Sequence, residues 1–143
     1  MKCLEYALNY LSKYPKTEKE MELQLLSKGY WSDDIQKAMT ILKDKTYIND
    51  QQFVEMYLQS ECIRKGKPII VVVKKLLEKR VDKTIITTEI KKVEEEVQDG
   101  IYQKIKSEIA AYKKKDLEWF DIIQKILKKG YKLDDIKKVI NGR

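Results

Sequence analysis

Residues Leu25–Met39 read LLSKGYWSDDIQKAM, and Ile126–Ile140 read ILKKGYKLDDIKKVI; eight of the fifteen positions are identical. A phrase repeated within one chain is the mark of a repeat architecture. Its shared residues describe a junction between helices. Gly29 and Gly130 are free to take the positive φ that ends a helix. Asp33-Asp34 and Asp134-Asp135 place carboxylates where the next helix begins, at the positive end of its dipole. Halfway between lies LLEKRVDKTIITTEI, residues 76–90, which shares Leu76, Leu77, Lys79 and Ile86 with the first copy in register. The chain is therefore expected to hold three units about fifty residues apart, by the self-similarity that marks arrays.

Working outward, each unit reads as helices. Thr17-Glu18-Lys19-Glu20 is a capping box, with a hydroxyl for the third amide and a carboxylate reaching back. Met21, Leu25 and Leu26 follow at helical spacing. Ser32 is expected to cap the next helix, whose stripe is Ile35, Ala38, Met39 and Leu42. A preceding helix carries Leu4, Ala7, Leu8 and Leu11 and stops at Pro15. The third unit repeats the plan with Ile101, Ile105, Ile109 and Tyr112, then Trp119, Ile122, Ile123, Ile126 and Leu127, then Ile136, Val139 and Ile140.

In the middle unit Arg80 stands at the glycine position, so its turn is expected to be built differently. IIVVV at 69–73 has β-propensity, but Pro68 and the stripe Ile69, Val72, Val73, Leu76, Leu77 predict a helix. Between the first two units, Tyr47 and Ile48 are expected to pack. Asn49 is a good N-cap, with Gln52 at the capping-box position and Phe53 opening the next helix. The fold predicted is all-α: three tandem three-helix repeats, about nine helices, in an elongated, curved array. The units are 1–48, 49–98 and 99–143. None buries its apolar stripe alone; stacked neighbours do.

Composition agrees. The 143 residues are 43% hydrophobic and 37% charged, with five glycines and two prolines. Thirty basic against 23 acidic side chains give a net charge of +7, which suits a polyanion or an acidic protein surface. The chain has no histidine, which removes the commonest general base and metal ligand. Cys3 and Cys62 cannot make a four-thiolate zinc site. No apolar leader precedes Cys3, so free thiols and a cytoplasmic setting are expected. IIVVV is far too short to span a membrane. Gly66-Lys67-Pro68 has no upstream glycine at phosphate-loop spacing. The aspartate pairs are expected to serve helix starts rather than metal, and most of the nine tyrosines to serve packing. Trp31, following Tyr30 into its turn, is the aromatic expected to be exposed for contact. No catalytic residue, metal or cofactor is predicted.

The stretch Tyr10–Leu58, YLSKYPKTEKEMELQLLSKGYWSDDIQKAMTILKDKTYINDQQFVEMYL, resembles the bacterial RecX family, regulators of the recombinase RecA. The resemblance is carried by Tyr10-Leu11-Ser12, the Thr17–Glu20 box, Leu25-Leu26, Lys28-Gly29-Tyr30, Ile35, Tyr47-Ile48-Asn49-Asp50 and Phe53. Lys65–Val81, KGKPIIVVVKKLLEKRV, matches the family's next segment, though that segment usually has more arginine and a glycine where Arg80 stands. The resemblance is specific over residues 4–90 and stays in register to the end. It implies tandem three-helix repeats and a non-catalytic, monomeric regulator acting in recombination, DNA repair and the SOS response. Such proteins lie in the groove of the RecA filament on single-stranded DNA, bridge its protomers, and inhibit ATP hydrolysis, strand exchange and co-protease activity.

The candidate partner-binding residues for the filament or DNA are the basic groups Arg64, Lys65, Lys67, Lys74, Lys75, Lys79, Arg80, Lys113, Lys114, Lys115, Lys128, Lys129 and Lys132. From Lys125 onward, Lys125, Lys128, Lys129, Lys132, Lys137, Lys138 and Arg143 face only Asp134 and Asp135, and the cluster Glu94, Glu95, Glu96 and Asp99 is expected elsewhere. Direct DNA contact, if present, is expected to be weak. The alternative reading is a sequence-independent DNA-binding protein acting without RecA, whose affinity would fall steeply with salt.

Overall fold

The computed structural model describes residues 2–142, and the regular elements among them are all helical. The first unit is α1 (Lys2–Lys13), α2 (Glu18–Ser27) and α3 (Ser32–Asp44). The second is α4 (Asp50–Leu58), continued by a π-helical segment Gln59–Arg64, then α5 (Ile69–Glu78) and α6 (Lys83–Lys92). The third is α7 (Glu94–Lys114), α8 (Trp119–Lys128) and α9 (Leu133–Ile140). The IIVVV stretch is helical, at the start of α5. Only Val93 separates α6 from α7, so the third unit's first helix begins ahead of the expected boundary at 98/99. Glu94, Glu95 and Glu96 fill its first turn, where the helix dipole favours them. Arg143 lies outside the described residues. The accessible surface is 9587 Å² for 17.0 kDa, against roughly 7,700 Å² for a compact monomer of that mass. The array is extended. No described helix is long and apolar enough to cross a membrane.

The repeated phrase folds the same way three times, which corrects the expectation for Arg80. Gly29, Arg80 and Gly130 have φ of +86°, +65° and +105°. In the first two turns the pattern of amides is identical. Gly29 N donates to Leu26 O and Tyr30 N to Leu25 O; Arg80 N donates to Leu77 O and Val81 N to Leu76 O. The arginine accepts the left-handed conformation because the flanking helices and these bonds dictate it.

The caps are mostly as the spacing predicts. Thr17 Oγ1 accepts from Glu20 N at 3.2 Å, and Glu20 Oε1 accepts from Thr17 N at 3.2 Å. Asn49 Oδ1 accepts from Gln52 N at 3.0 Å, with no return bond from Gln52. Ser32 is the exception. It is already helical, and Trp31 occupies the cap position with no side-chain bond. Asp33-Asp34 and Asp134-Asp135 lie in first turns, where their charges complement the dipole.

Two cores form, not three. Ala7, Met21, Leu25, Ile35 and Leu42 close the first, joined by Ile48. Tyr47 is 57% exposed and does not pack as expected. Tyr6, Tyr10 and Tyr30 pack against this core. The second core runs through α4–α9, with Val54, Leu58, Leu76, Ile86, Ile105 and Ile126 fully or almost fully buried. Its tightest point is a glycine crossing. A Cβ on Gly100 would stand 2.6 Å from Cys62 O and 2.7 Å from Ile63 O, so the π-helical segment lies backbone to backbone on α7. Beside it the Tyr131 hydroxyl donates to Gly66 O at 2.6 Å, and burial pushes that phenol up to about 12. Burial pushes the Cys62 thiol up to about 11, so it is a packing group rather than a nucleophile. Glu89, at the place of Ala38 and Val139, is 4% exposed. Gln51 Nε2 at 3.2 Å and Lys92 Nζ at 2.8 Å satisfy its carboxylate.

The first unit meets the rest through polar groups. Thr17 Oγ1 donates to Lys79 O at 2.7 Å, Glu18 N donates to Asp50 Oδ1 at 2.8 Å, and Lys79 Nζ lies 3.3 Å from Glu20 Oε2. The capping box of α2 is thus also the latch between units.

Candidate partner interface

The basic candidates fall in four places. Arg64, Lys65 and Lys67 end the π-helical segment. Glu61, only 13% exposed at its side chain, accepts from Lys65 at 2.9 Å and Lys67 at 3.0 Å. Burial opposes its charge, but these bonds outweigh it and hold its carboxyl below the ordinary value. Arg64 bonds Ser60 Oγ at 3.1 Å.

Lys128, Lys129 and Lys132 surround the α8–α9 turn. A Cβ on Gly130 would touch Ile70 and Val71 at 3.3 Å and Pro68 at 3.4 Å. The third unit's turn therefore abuts the start of α5, and the first two basic groups share one seam. Lys129 Nζ lies 2.7 Å from Glu108, whose other cation is Lys104 at 3.7 Å. Burial opposes the Glu108 charge, and Lys129 overrides it and keeps the carboxyl low. The same bond to Glu108 raises the Lys129 ammonium.

Lys74 and Lys75 stand exposed on α5, Lys75 within 3.9 Å of Glu78. Lys79 is half-buried in the latch and lies over the Phe53 ring, and Arg80 follows in its strained turn. The fourth group, Lys113, Lys114 and Lys115, ends α7, remote along that helix from the seam. Trp31 is 81% exposed.

Along the seam runs an open groove of about 940 Å³ between the π-helical segment and α7. Arg64, Lys65 and Lys67 form one wall; Glu96, Asp99 and Lys104 stand on the other. Two things here escaped the sequence. Lys104 is an isolated lysine with no basic neighbour in the chain; its signal is the four-residue spacing to Glu108. Glu96 and Asp99, expected away from the basic groups, face them, because Gly100 lets α7 approach the π-helical segment so closely. The groove carries both signs of charge. π-helical insertions recur at functional sites. No group of side chains among the described residues is arranged to hold a metal ion, and the arrangement suits recognition rather than bond-making.

Residues 3–42 match the family model of the RecX first three-helix domain. The regulatory protein RecX of Clostridium perfringens strain SM101 is 30% identical over 147 residues, covering 98% of this chain and 68% of its own. That of Clostridium tetani is 28% identical over 146 residues, covering 99% and 67%. The crystal structure of RecX from Lactobacillus salivarius matches with a TM-score of 0.81 at 25% identity, over 99% of this chain and 94% of that one. A second crystal structure, of a regulatory protein RecX, matches with a TM-score of 0.80 over 98% of this chain and 70% of its own; at 14% identity it bears on the fold alone.

Proposed function

The chain belongs to the RecX family of regulatory proteins, and from that premise we propose that it binds the RecA filament on single-stranded DNA and restrains it. In this reading the array lies in the filament's helical groove and contacts several protomers. It lowers ATP hydrolysis, strand exchange and co-protease activity in the cytoplasm, acting as a monomer. Three linked units gain affinity by multivalency without a deep pocket. Restraint follows if filament states that exclude productive exchange are bound more tightly than active ones.

The observation that supports a protein partner is the mixed charge of the seam groove. A phosphate chain lying on Arg64, Lys65 and Lys67 would run beside Glu96 and Asp99; a protein surface offers both signs and pairs with both walls. The test is RecA's DNA-dependent ATPase and filament lifetime with the protein at stoichiometric ratio. Both are expected to fall. Arg64 and Lys132 are exposed and pair with no carboxylate among the described residues, so Arg64→Glu with Lys132→Glu is expected to raise the concentration required about tenfold, the size of one lost charged contact. Unchanged ATPase and lifetime with the unaltered protein sink the proposal.

A second reading, direct binding to DNA, draws on Lys74, Arg80, Lys114, Lys115, Lys128 and Lys132, exposed and likewise unpaired. It requires strong binding to naked DNA whose log affinity falls by roughly 0.9 per phosphate contacted for each tenfold rise in salt. Weak naked-DNA binding beside tight filament binding decides for RecA.

A further inference from the structure

The outer end of the third unit carries a second, smaller groove of about 290 Å³, between α7, the start of α8 and the end of α9. Ile109 and Val139, both buried, form its floor; Trp119 and Ile140, 43% and 39% exposed, form its edges. Phe120, next to Trp119, is 71% exposed. The terminal unit of a helical array ordinarily closes with a polar outer face, and this one does not.

The groove's charge is of one sign. Lys106 and Lys113 line it, and no carboxylate does among the described residues; Asp116 and Glu118 of the neighbouring turn are not in the lining. Neither lysine forms an ion pair with a described residue. Lys113 instead holds its ammonium 4.3 Å from the centre of the Trp119 ring. The lysines are seven residues apart on α7, so their stems leave the helix about 10 Å apart, at 1.5 Å per residue. A seven-residue spacing of charge beside an apolar strip is also the pattern of an amphipathic helix.

We propose that this groove docks an acidic amphipathic segment of a partner protein, with an aliphatic or aromatic anchor between Trp119 and Ile140 and carboxylates on Lys106 and Lys113. Charge complementarity selects this occupant. A nucleic acid backbone would satisfy the lysines and leave Ile109, Val139 and Ile140 facing water. A second copy of this chain, at net +7, would bring lysines against lysines. The inference does not rest on the RecA reading, and its probe contains no RecA, so either can fail alone.

The chain has two tryptophans, Trp31 and Trp119, so Trp31→Phe in the full chain leaves Trp119 as the sole reporter. The probe is a synthetic helical peptide with leucine along one face and glutamate at seven-residue spacing beside it. A saturable blue shift of Trp119 emission is expected, weakening with salt. Lys113→Glu and Ile140→Asp, each at an exposed position and checked for an unchanged thermal melt, are expected to weaken binding about tenfold, as for loss of one anchor. No saturable shift overturns the proposal, as does a shift that both variants leave intact. An equal response to a peptide with serine for leucine, or to oligo(dT), also overturns it, in favour of bare charge or nucleic acid. A shift with protein concentration alone overturns it in favour of self-association.

Discussion

Leu25, Leu76 and Ile126 hold the same place in the three copies of the repeated phrase, and all three are fully buried. Leu25 is buried among α1–α3 alone. Leu76 and Ile126 are buried in one core that runs from α4 to α9. The first unit is a self-contained three-helix body latched by Thr17, Glu18, Glu20, Asp50 and Lys79. The other two units are fused at a glycine crossing. One plan thus gives a rigid double unit and a single unit on a polar joint. A partner with repeating but imperfectly spaced subunits is better followed by a jointed array than by a stiff one, because local opening is drawn from the weakly packed joint.

The largest effect that separates the two regions should come from Gly100→Ala. Its Cβ would press on the carbonyls of Cys62 and Ile63, and backbone cannot yield cheaply, so the double unit is expected to lose about 3 kcal/mol, the upper range for overpacking. Gly29→Ala meets open space and only the cost of positive φ, about 1 kcal/mol, and only in the first unit. Urea denaturation followed by hydrogen exchange on both regions checks this. If Gly29→Ala destabilises α4–α9 as much as α1–α3, the two-body picture fails.

Next comes the latch. Thr17→Ala removes both the cap of α2 and the bond to Lys79 O, and is expected to cost about 1–2 kcal/mol. Thr17→Ser should keep both bonds and most of the stability. Faster exchange is expected at α2 and at the α5–α6 turn together, since one hydroxyl serves both. Protection lost in α2 alone would mean that the joint does not depend on it.

Acid should act on the two regions with opposite sign. Glu61 and Glu108 have carboxyls held low in the folded chain. Their stabilisation is full above the unfolded carboxylate value, near 4.5, and is lost as pH falls through their lower folded values. Asp50 is raised, first by burial and then by Glu18 and Glu20, against the Glu18 amide and Lys43. The folded chain holds its proton more tightly than the unfolded one, so its protonation favours folding as pH falls. Exchange measured between pH 3 and 6 is expected to show the seam opening first. Opening of the latch ahead of the seam would overturn that order.

What the sequence makes legible is what three or four neighbouring residues decide. The Thr17–Glu20 box, the helix of IIVVV and the stripe Ile35, Ala38, Met39, Leu42 follow from local spacing, and the structure has them. Ser32 misled because a serine one residue into a helix looks like a serine at its cap. The fused core was invisible, because it depends on the π-helical segment meeting α7 about forty residues on in the chain. Its one trace is Gly100, between Val97 and Ile101 on a buried stripe, where glycine costs about 1 kcal/mol and signals a close approach. Glu96 and Asp99 could not be placed in the groove without that crossing, nor Lys104 opposite Arg64.

Arg80→Gly is the smallest expected effect and the one that links this contrast to function. A non-glycine residue at φ +65° carries about 1–2 kcal/mol of strain, and glycine brings back about 0.5–1 kcal/mol of unfolded-state entropy. The substitution should therefore stabilise the double unit by about 0.5 kcal/mol, a rise in Tm of roughly 2–4 °C. The first and third units use glycine at this turn and the second does not, although the backbone is the same. If the guanidinium is what the second unit gains for its strain, Arg80→Gly will melt higher and act more weakly on RecA. Arg80→Asn, which tolerates the same φ without the charge, will weaken it equally. If both variants keep full effect on RecA's ATPase, the arginine is only a tolerated substitution, and the partner surface of the second unit narrows to the seam.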